Sequence, residues 1–192
     1  MVVRQQVRDV LALVREPAGP GPFVLGVDGR SGAGKSELAR AAVVALRARH
    51  GDEAVLALAL EDAYRGWRGL AAGVTHVAEQ ALAPLARGER GGYRRYDWTA
   101  ARVDGLVRVP PPDADLPRVV VLEGCGAGSA ACAPYVHTLV WLEAPAEVRR
   151  RRALARDQHA WVALWEVWEA QESALLTERD ARAAADLVLR TG

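Results

Sequence analysis

Eight consecutive residues, Gly29-Arg30-Ser31-Gly32-Ala33-Gly34-Lys35-Ser36, fit the pattern GxxxxGK[ST]. Glycines at these positions let the chain turn tightly, so that backbone N–H groups converge on an anion. The lysine then places an ammonium against the β- and γ-phosphates, and the serine hydroxyl can bind magnesium. A helix starting at the end of such a loop directs its positive end at the same anion. Composition points the same way. Lys35 is the only lysine among 25 basic residues (Lys plus Arg), and the chain has no asparagine. A sequence that uses arginine everywhere else keeps a lysine where an ammonium would meet phosphates. The chemistry expected is binding of ATP with Mg2+.

Phosphoryl transfer to a hydroxyl needs one carboxylate to orient the acceptor and take its proton, and another near the metal. In open α/β sheets, ligands collect beyond the carboxyl ends of the strands. Asp62 closes one apolar run there and suits the first role. Glu123 closes Val119-Val120-Val121-Leu122 and suits the second, beside Ser36. Glu61 is set aside, because alternation along a strand would point it elsewhere. Arg149, Arg152 and Arg156 are spaced i, i+3, i+7 and share a helix face. They could close over the transferring phosphoryl group, although a run of arginines also reads as a solvated face. Arg150 and Arg151 are expected in solvent. Trp161, Trp165 and Trp168 recur at helical spacing and read as a core-facing stripe. Tyr96 and Trp98 lie in the short polar segment Tyr93–Trp98, where they could stack on a planar substrate or pack a hairpin onto the body.

The elements that must position these residues can be read from the pattern. Phe23–Asp28 follows a Pro/Gly-rich breaker and reads as a buried strand. Helix is expected for residues 37–50, strand for 54–60, helix for 74–87, and a small hairpin from 93–98 and 106–109. Further strands are expected at 118–122, 137–142 and 187–189. A basic helix at 146–157 and a tryptophan-bearing helix ending near Glu178 complete the series. Residues 1–15 read as an amphipathic helix rather than a signal peptide. Strands alternating with helices imply a parallel sheet covered on both faces. The expectation is therefore an α/β fold of the P-loop NTPase type in one domain, residues 1–192, with a small hairpin and an arginine-bearing lid at about 146–160.

Composition narrows the class. A chain of 192 residues with 51% hydrophobic content suits one compact core, and a net charge of +1 recruits neither nucleic acid nor an anionic membrane. No apolar run approaches the roughly 20 residues a bilayer span needs. Cys125 and Cys132 form no CxxC pair and read as reduced thiols in a cytoplasmic protein. A GTP switch would need an Asn/Thr-Lys-x-Asp element, which a chain with one lysine and no asparagine cannot contain. Small-molecule kinases fit best.

With these residues in view, the sequence resembles the uridine kinase branch of the phosphoribulokinase and uridine kinase family. The likeness runs through Gly29 to Ser36, Asp62-Ala63-Tyr64, Tyr96-Asp97-Trp98 with Arg102, and Val121-Leu122-Glu123-Gly124. It continues through the stretch Arg149 to Asp157 and Ala185-Asp186-Leu187-Val188. The resemblance implies ATP-dependent phosphorylation of a hydroxyl on a nucleoside or another small metabolite. Asp62 would be the base, Ser36 and Glu123 the magnesium residues, and Arg149, Arg152 and Arg156 the lid residues, with Lys35 at the phosphates. Tyr64, Tyr96, Trp98 and Arg102 would line the acceptor pocket. The departures lie on the acceptor side. Ala101 stands where the family has a base-reading histidine, and the segment Arg65-Gly66-Trp67-Arg68-Gly69-Leu70 offers arginines where the family usually supplies a ribose-binding acid. Uridine is therefore expected to bind poorly, and an arginine-lined site would favour an anionic or non-nucleoside acceptor. The alternative is a nucleotide-binding regulatory or partner-binding protein without kinase activity. Homo-oligomerisation is left open by the sequence.

Overall fold

A computed structural model describes residues 2–156 and 162–192, with the side chains of Val2, Val3 and Arg156 outside the description. Five strands, β1 (Phe23–Asp28), β2 (Val55–Ala59), β5 (Val119–Glu123), β6 (Thr138–Glu143) and β7 (Leu187–Arg190), form one sheet in the order β2-β5-β1-β6-β7. Every pairing in it is parallel. Strands of such a sheet are covered on both faces, which is why β1 and β5 read as near-continuous apolar runs. Alternation then divides each strand between two cores. Val119 and Val121 join Leu25, Val27, Leu38, Ala42 and Leu46 on the side of α1 (Val2–Leu11) and α2 (Lys35–His50). Val120 and Leu122 join Val24, Leu70, Val74 and Trp168 on the opposite side.

That opposite layer contains α3 (Leu70–Val77), α4 (Ala83–Ala86), α5 (Ala146–Arg156) and α6 (Trp165–Glu178). The helix expected at 74–87 begins four residues earlier and is not uniform, since a π-turn, Ala78–Leu82, separates α3 from α4. Pro84 accounts for the irregularity. It has no N–H to donate to the preceding turn, and its ring crowds that turn's carbonyl, so a widened turn accommodates it. The hairpin is present as β3 (Gly91–Asp97) and β4 (Arg102–Val109), antiparallel, with an irregularity between Arg94 and Tyr96. Its base is anchored by buried Tyr93 and Val109. No described helix is long and apolar enough to cross a membrane.

One boundary matters for the chemistry. The second strand stops at Ala59, and Leu60–Asp62 forms a single 3₁₀ turn. Two-residue alternation therefore does not carry through to Glu61 and Asp62.

Candidate functional site

The phosphate loop leaves β1 at its carboxyl end and enters α2 at Lys35. Gly32 has φ 79°, and a Cβ there would lie 2.2 Å from the carbonyl oxygen of Arg149. Only glycine allows both that backbone shape and that approach of the arginine helix. Gly29, with φ 145°, passes equally close to the Leu142 carbonyl. Just before the loop, buried Asp28 accepts backbone hydrogen bonds from Gly29 (2.6 Å), Gly126 (3.0 Å) and Gly128 (2.7 Å). Burial raises the pKa of its carboxyl, while those N–H groups and Lys35 pull against the shift. Asp28 thus ties the end of β1 to the segment following β5.

Lys35 is buried. Its ammonium donates to the carbonyls of Gly29 (2.7 Å) and Arg30 (3.2 Å) and to Cys125 Sγ (3.3 Å). Burial alone would lower its pKa. The surrounding Cys125, Glu172, Asp28 and Glu123 outweigh burial and raise it, so the cation is retained. Ser36 Oγ lies 3.2 and 3.3 Å from the two carboxylate oxygens of Glu123. The two residues assigned to the metal, 87 positions apart in sequence, are therefore side by side at the carboxyl end of the sheet. A hydroxyl and a carboxylate are hard oxygen donors. They suit Mg2+, which takes few protein ligands and fills its octahedron with water and phosphate oxygens.

Of the three arginines expected in a lid, Arg149 and Arg152 meet the loop. Arg149 is buried, donates to the Ser31 carbonyl (3.5 Å), and lies 3.7 Å from the Glu169 carboxylate and 6.0 Å from the centre of the Trp165 ring. Arg152 donates to the Gly32 carbonyl (3.4 Å) and to Thr191 Oγ1 (3.0 Å). Arg150 and Arg151 are exposed. The Arg156 side chain and all of Trp161 lie outside the described residues, as does the end of the expected lid.

Beside the loop opens a cavity of about 480 Å³, lined by Lys35, Ser36, Glu123, Glu61, Tyr64, Thr99 and three tryptophans, Trp67, Trp98 and Trp168, among others. Aromatic contacts join its walls. Trp67 meets Trp98 at 5.3 Å and Trp168 at 6.2 Å, and Tyr64 meets Trp168 at 5.4 Å. Tyr64 is fixed by its hydroxyl, which donates to the Cys125 carbonyl at 2.8 Å. Burial raises the pKa of that hydroxyl well above its usual value, so it remains a donor.

Some residues expected at the site from the sequence do not line this cavity. Asp62 is not among the cavity's lining residues. Its carboxylate is 3.5 Å from the hydroxyl of Tyr93, at the hairpin base, and of these two neighbours it is Glu61 that joins Glu123 on the cavity wall. Both residues belong to the 3₁₀ turn Leu60–Asp62, so strand alternation does not govern which of them meets the cavity. Tyr96 and Arg102 do not line the cavity either. Tyr96 packs edge-on against Trp98 at 5.3 Å, while Arg102 stands opposite Asp97 in the register of the hairpin. Arg65 and Arg68 are exposed and absent from the lining, so the arginine-lined acceptor site expected from the sequence is not formed by them. Away from the phosphate loop the wall is mainly aromatic instead, from Tyr64, Trp67, Trp98 and Trp168. Trp67, Thr99, Trp168, Glu61 and Cys125 were not singled out by the sequence as lining residues. Trp168, read as core, is both core and wall. Its place in a 3.6-residue stripe with Trp165 could indicate burial but not the cavity on its far side.

This order of parallel strands, with a phosphate loop after β1 and a carboxylate at the end of β5, is the α/β fold of P-loop NTPases. No protein-family model matches the chain, and no curated protein matches it. Solved structures do. A protein from Bacillus stearothermophilus described as a possible uridine kinase aligns with a TM-score of 0.68 at 18% identity, over 98% of this chain and 100% of that one. A protein from Silicibacter sp. TM1040 described as a candidate fructose transport system kinase aligns with a TM-score of 0.63 at 18% identity, over 98% and 99%. D-glycerate 3-kinase from Cryptococcus neoformans aligns with a TM-score of 0.53 at 15% identity, over 91% and 86%. At these identities the likeness establishes the fold.

Proposed function

We propose that the protein is a kinase that transfers the γ-phosphoryl group of ATP to a hydroxyl of a small molecule, with Mg2+. The observation that carries this reading is the meeting of Lys35, Ser36 and Glu123 on one wall of a cavity large enough for an acceptor, with Glu61 on the same cavity. The names of the structural neighbours, kinases for a range of small hydroxyl compounds, support the same class.

In this reading the loop from Gly29 through Arg30, Ser31, Gly32, Ala33 and Gly34 to Ser36 cradles the phosphates. Lys35 meets the β- and γ-phosphates. Ser36 and Glu123 would hold Mg2+, which screens phosphate charge when bound. Arg149 and Arg152, already against the loop, supply positive charge where negative charge spreads over the transferring group. Arg156 belongs to this set by its spacing. Glu61 takes the acceptor proton, replacing Asp62 in that role because it faces the cavity. Tyr64, Trp67, Trp98 and Trp168 enclose the acceptor and exclude water. Asp62 becomes a support for the hairpin through Tyr93.

The acceptor is proposed to be something other than uridine. Ala101 is exposed and offers no hydrogen bond to a base, and the described wall beyond the phosphate end is mostly indole and phenol surface. A ribose diol would find few partners there. The test is ATP consumption by the purified protein against a panel of nucleosides, sugars and other alcohols. Turnover that depends on an acceptor supports the kinase. Tight Mg–ATP binding with no acceptor-dependent turnover overturns it in favour of a nucleotide-binding regulatory protein.

A further inference from the structure

The phosphate loop is held from outside by one face of α6. Glu172 is only 4% exposed. Its Oε1 accepts three hydrogen bonds: from the backbone N–H of Ser31 (2.7 Å), from the indole Nε1 of Trp168 (3.0 Å) and from the Cys125 thiol (3.2 Å). Ser173, the next residue, accepts from Arg30 Nη2 at 3.1 Å. Glu169, one turn earlier, lies 3.6 Å from Arg30 and 3.7 Å from Arg149. Residues 168, 169, 172 and 173 share one helix face by their spacing. That face therefore grips the second and third residues of the loop and Arg149 together.

A buried carboxylate is costly unless donors compensate it. Placing one beside a site for polyphosphate adds repulsion. Three donors converging on a single oxygen offset that cost, and the shortest bond is the one to the loop. Ser31 N–H is thereby committed to the protein, which fixes the peptide planes that follow. The Ser31 and Gly32 carbonyls, which accept from Arg149 and Arg152, sit on those planes. The thiol that Glu172 holds is also the one lying 3.3 Å from Lys35 Nζ.

We infer that Glu172 is a positioning residue for nucleotide binding. Its buried carboxylate sets the phosphate loop in its receiving shape and, through Cys125, holds the rear of the Lys35 site. The inference rests on the kinase reading above only in assuming that this loop binds Mg–ATP. What matters is the placement of one acceptor oxygen, not the negative charge.

Two variants of the full chain separate these. Glu172→Gln keeps an acceptor oxygen at the same reach and removes the charge. Glu172→Asp keeps the charge and withdraws the oxygen by one bond, about 1.5 Å. Mg–ATP affinity is measured by calorimetry, with melting temperature and acceptor-dependent turnover alongside. The expected result is that Gln binds within about threefold of the natural protein, while Asp binds about tenfold more weakly, the effect of losing one bond to a charged acceptor. An Asp variant that binds normally overturns the role. So does a Gln variant weakened as much as Asp, since charge would then be the operative property. Lower melting temperatures with unchanged affinity in both would make Glu172 a structural residue only. If the natural protein itself fails to bind Mg–ATP, the kinase reading falls first and takes this role with it. Normal binding by the natural protein with an unaffected Asp variant overturns this role alone.

Discussion

Glu61→Gln should abolish most turnover, whereas Asp62→Asn should leave it nearly intact. Glu61 is on the wall of the cavity that also exposes Lys35, Ser36 and Glu123. An amide in its place cannot accept the acceptor's proton. A positioned general base typically contributes about 10²–10⁴-fold, so a loss of that order is expected in kcat. Mg–ATP affinity should stay within about threefold, because a base acts in the transition state. Asp62 makes one contact at 3.5 Å with Tyr93, at the outer limit of a hydrogen bond. Burial first, and then the Asp62 carboxylate, push the Tyr93 hydroxyl up to about 12, so it stays protonated and can donate to either Asp or Asn. The assay is steady-state kinetics with a phosphorylated acceptor, beside direct nucleotide binding. If Asp62→Asn lost a hundredfold or more while Glu61→Gln worked, the cavity-facing argument would be refuted and Asp62 would be the base after all.

Lys35→Ala should lower turnover by about 10²–10³-fold with the circular dichroism spectrum unchanged, the usual cost of removing one charged contact at a reacting centre. Near-normal rates in a folded variant would contradict the phosphate-loop assignment. Uridine and cytidine should be at least about a hundredfold poorer than the best acceptor found, since two unpaired polar groups typically cost a few kcal/mol. Efficient phosphorylation of uridine at micromolar concentration would show that other residues supply those contacts. Burial pushes the Cys125 and Cys132 thiols from 9.0 up to about 12. Both should resist iodoacetamide at pH 8 in the folded protein and react when it is unfolded. Their sign in stability follows. A thiol raised in the folded state contributes fully below its unfolded pKa of 9.0, and that contribution is lost as pH rises toward about 12. Denaturant midpoints should fall across that window, and a flat profile would contradict the burial of both thiols.

Much of the architecture could be read from local pattern. A Gly-rich loop between an apolar run and an Ala/Leu/Arg helix has one stable context, and continuous apolar strands require cover on both faces. The meeting of Ser36 with Glu123 was legible from the phosphate-loop pattern and one strand end, because parallel strands deliver their carboxyl ends to one edge. What the sequence hid depends on distances between segments. Glu61 and Asp62 were separable only once strand β2 was seen to end at Ala59, and a one-turn 3₁₀ segment leaves little periodic signal. Arg65 and Arg68 looked like pocket residues by position, but the turn at Gly66–Arg68 presents Trp67 to the cavity and leaves the arginines in solvent. Glu172 lay unnoticed in a helix of tryptophans and acids. Its meaning appears only where α6 crosses the loop, 141 residues away in sequence.

The central claim, that Lys35, Ser36, Glu123 and Glu61 form one phosphoryl-transfer site around the cavity, is tested most directly by ADP release from Mg–ATP with and without hydroxyl acceptors. The natural protein and the Lys35→Ala variant would be measured together, with the phosphorylated acceptor identified by mass spectrometry. The account predicts turnover that requires an acceptor, yields its phosphate ester one-for-one with ADP, and falls by about 10²–10³-fold in the variant. ADP release that is independent of every acceptor, or nucleotide binding without any turnover, would contradict it.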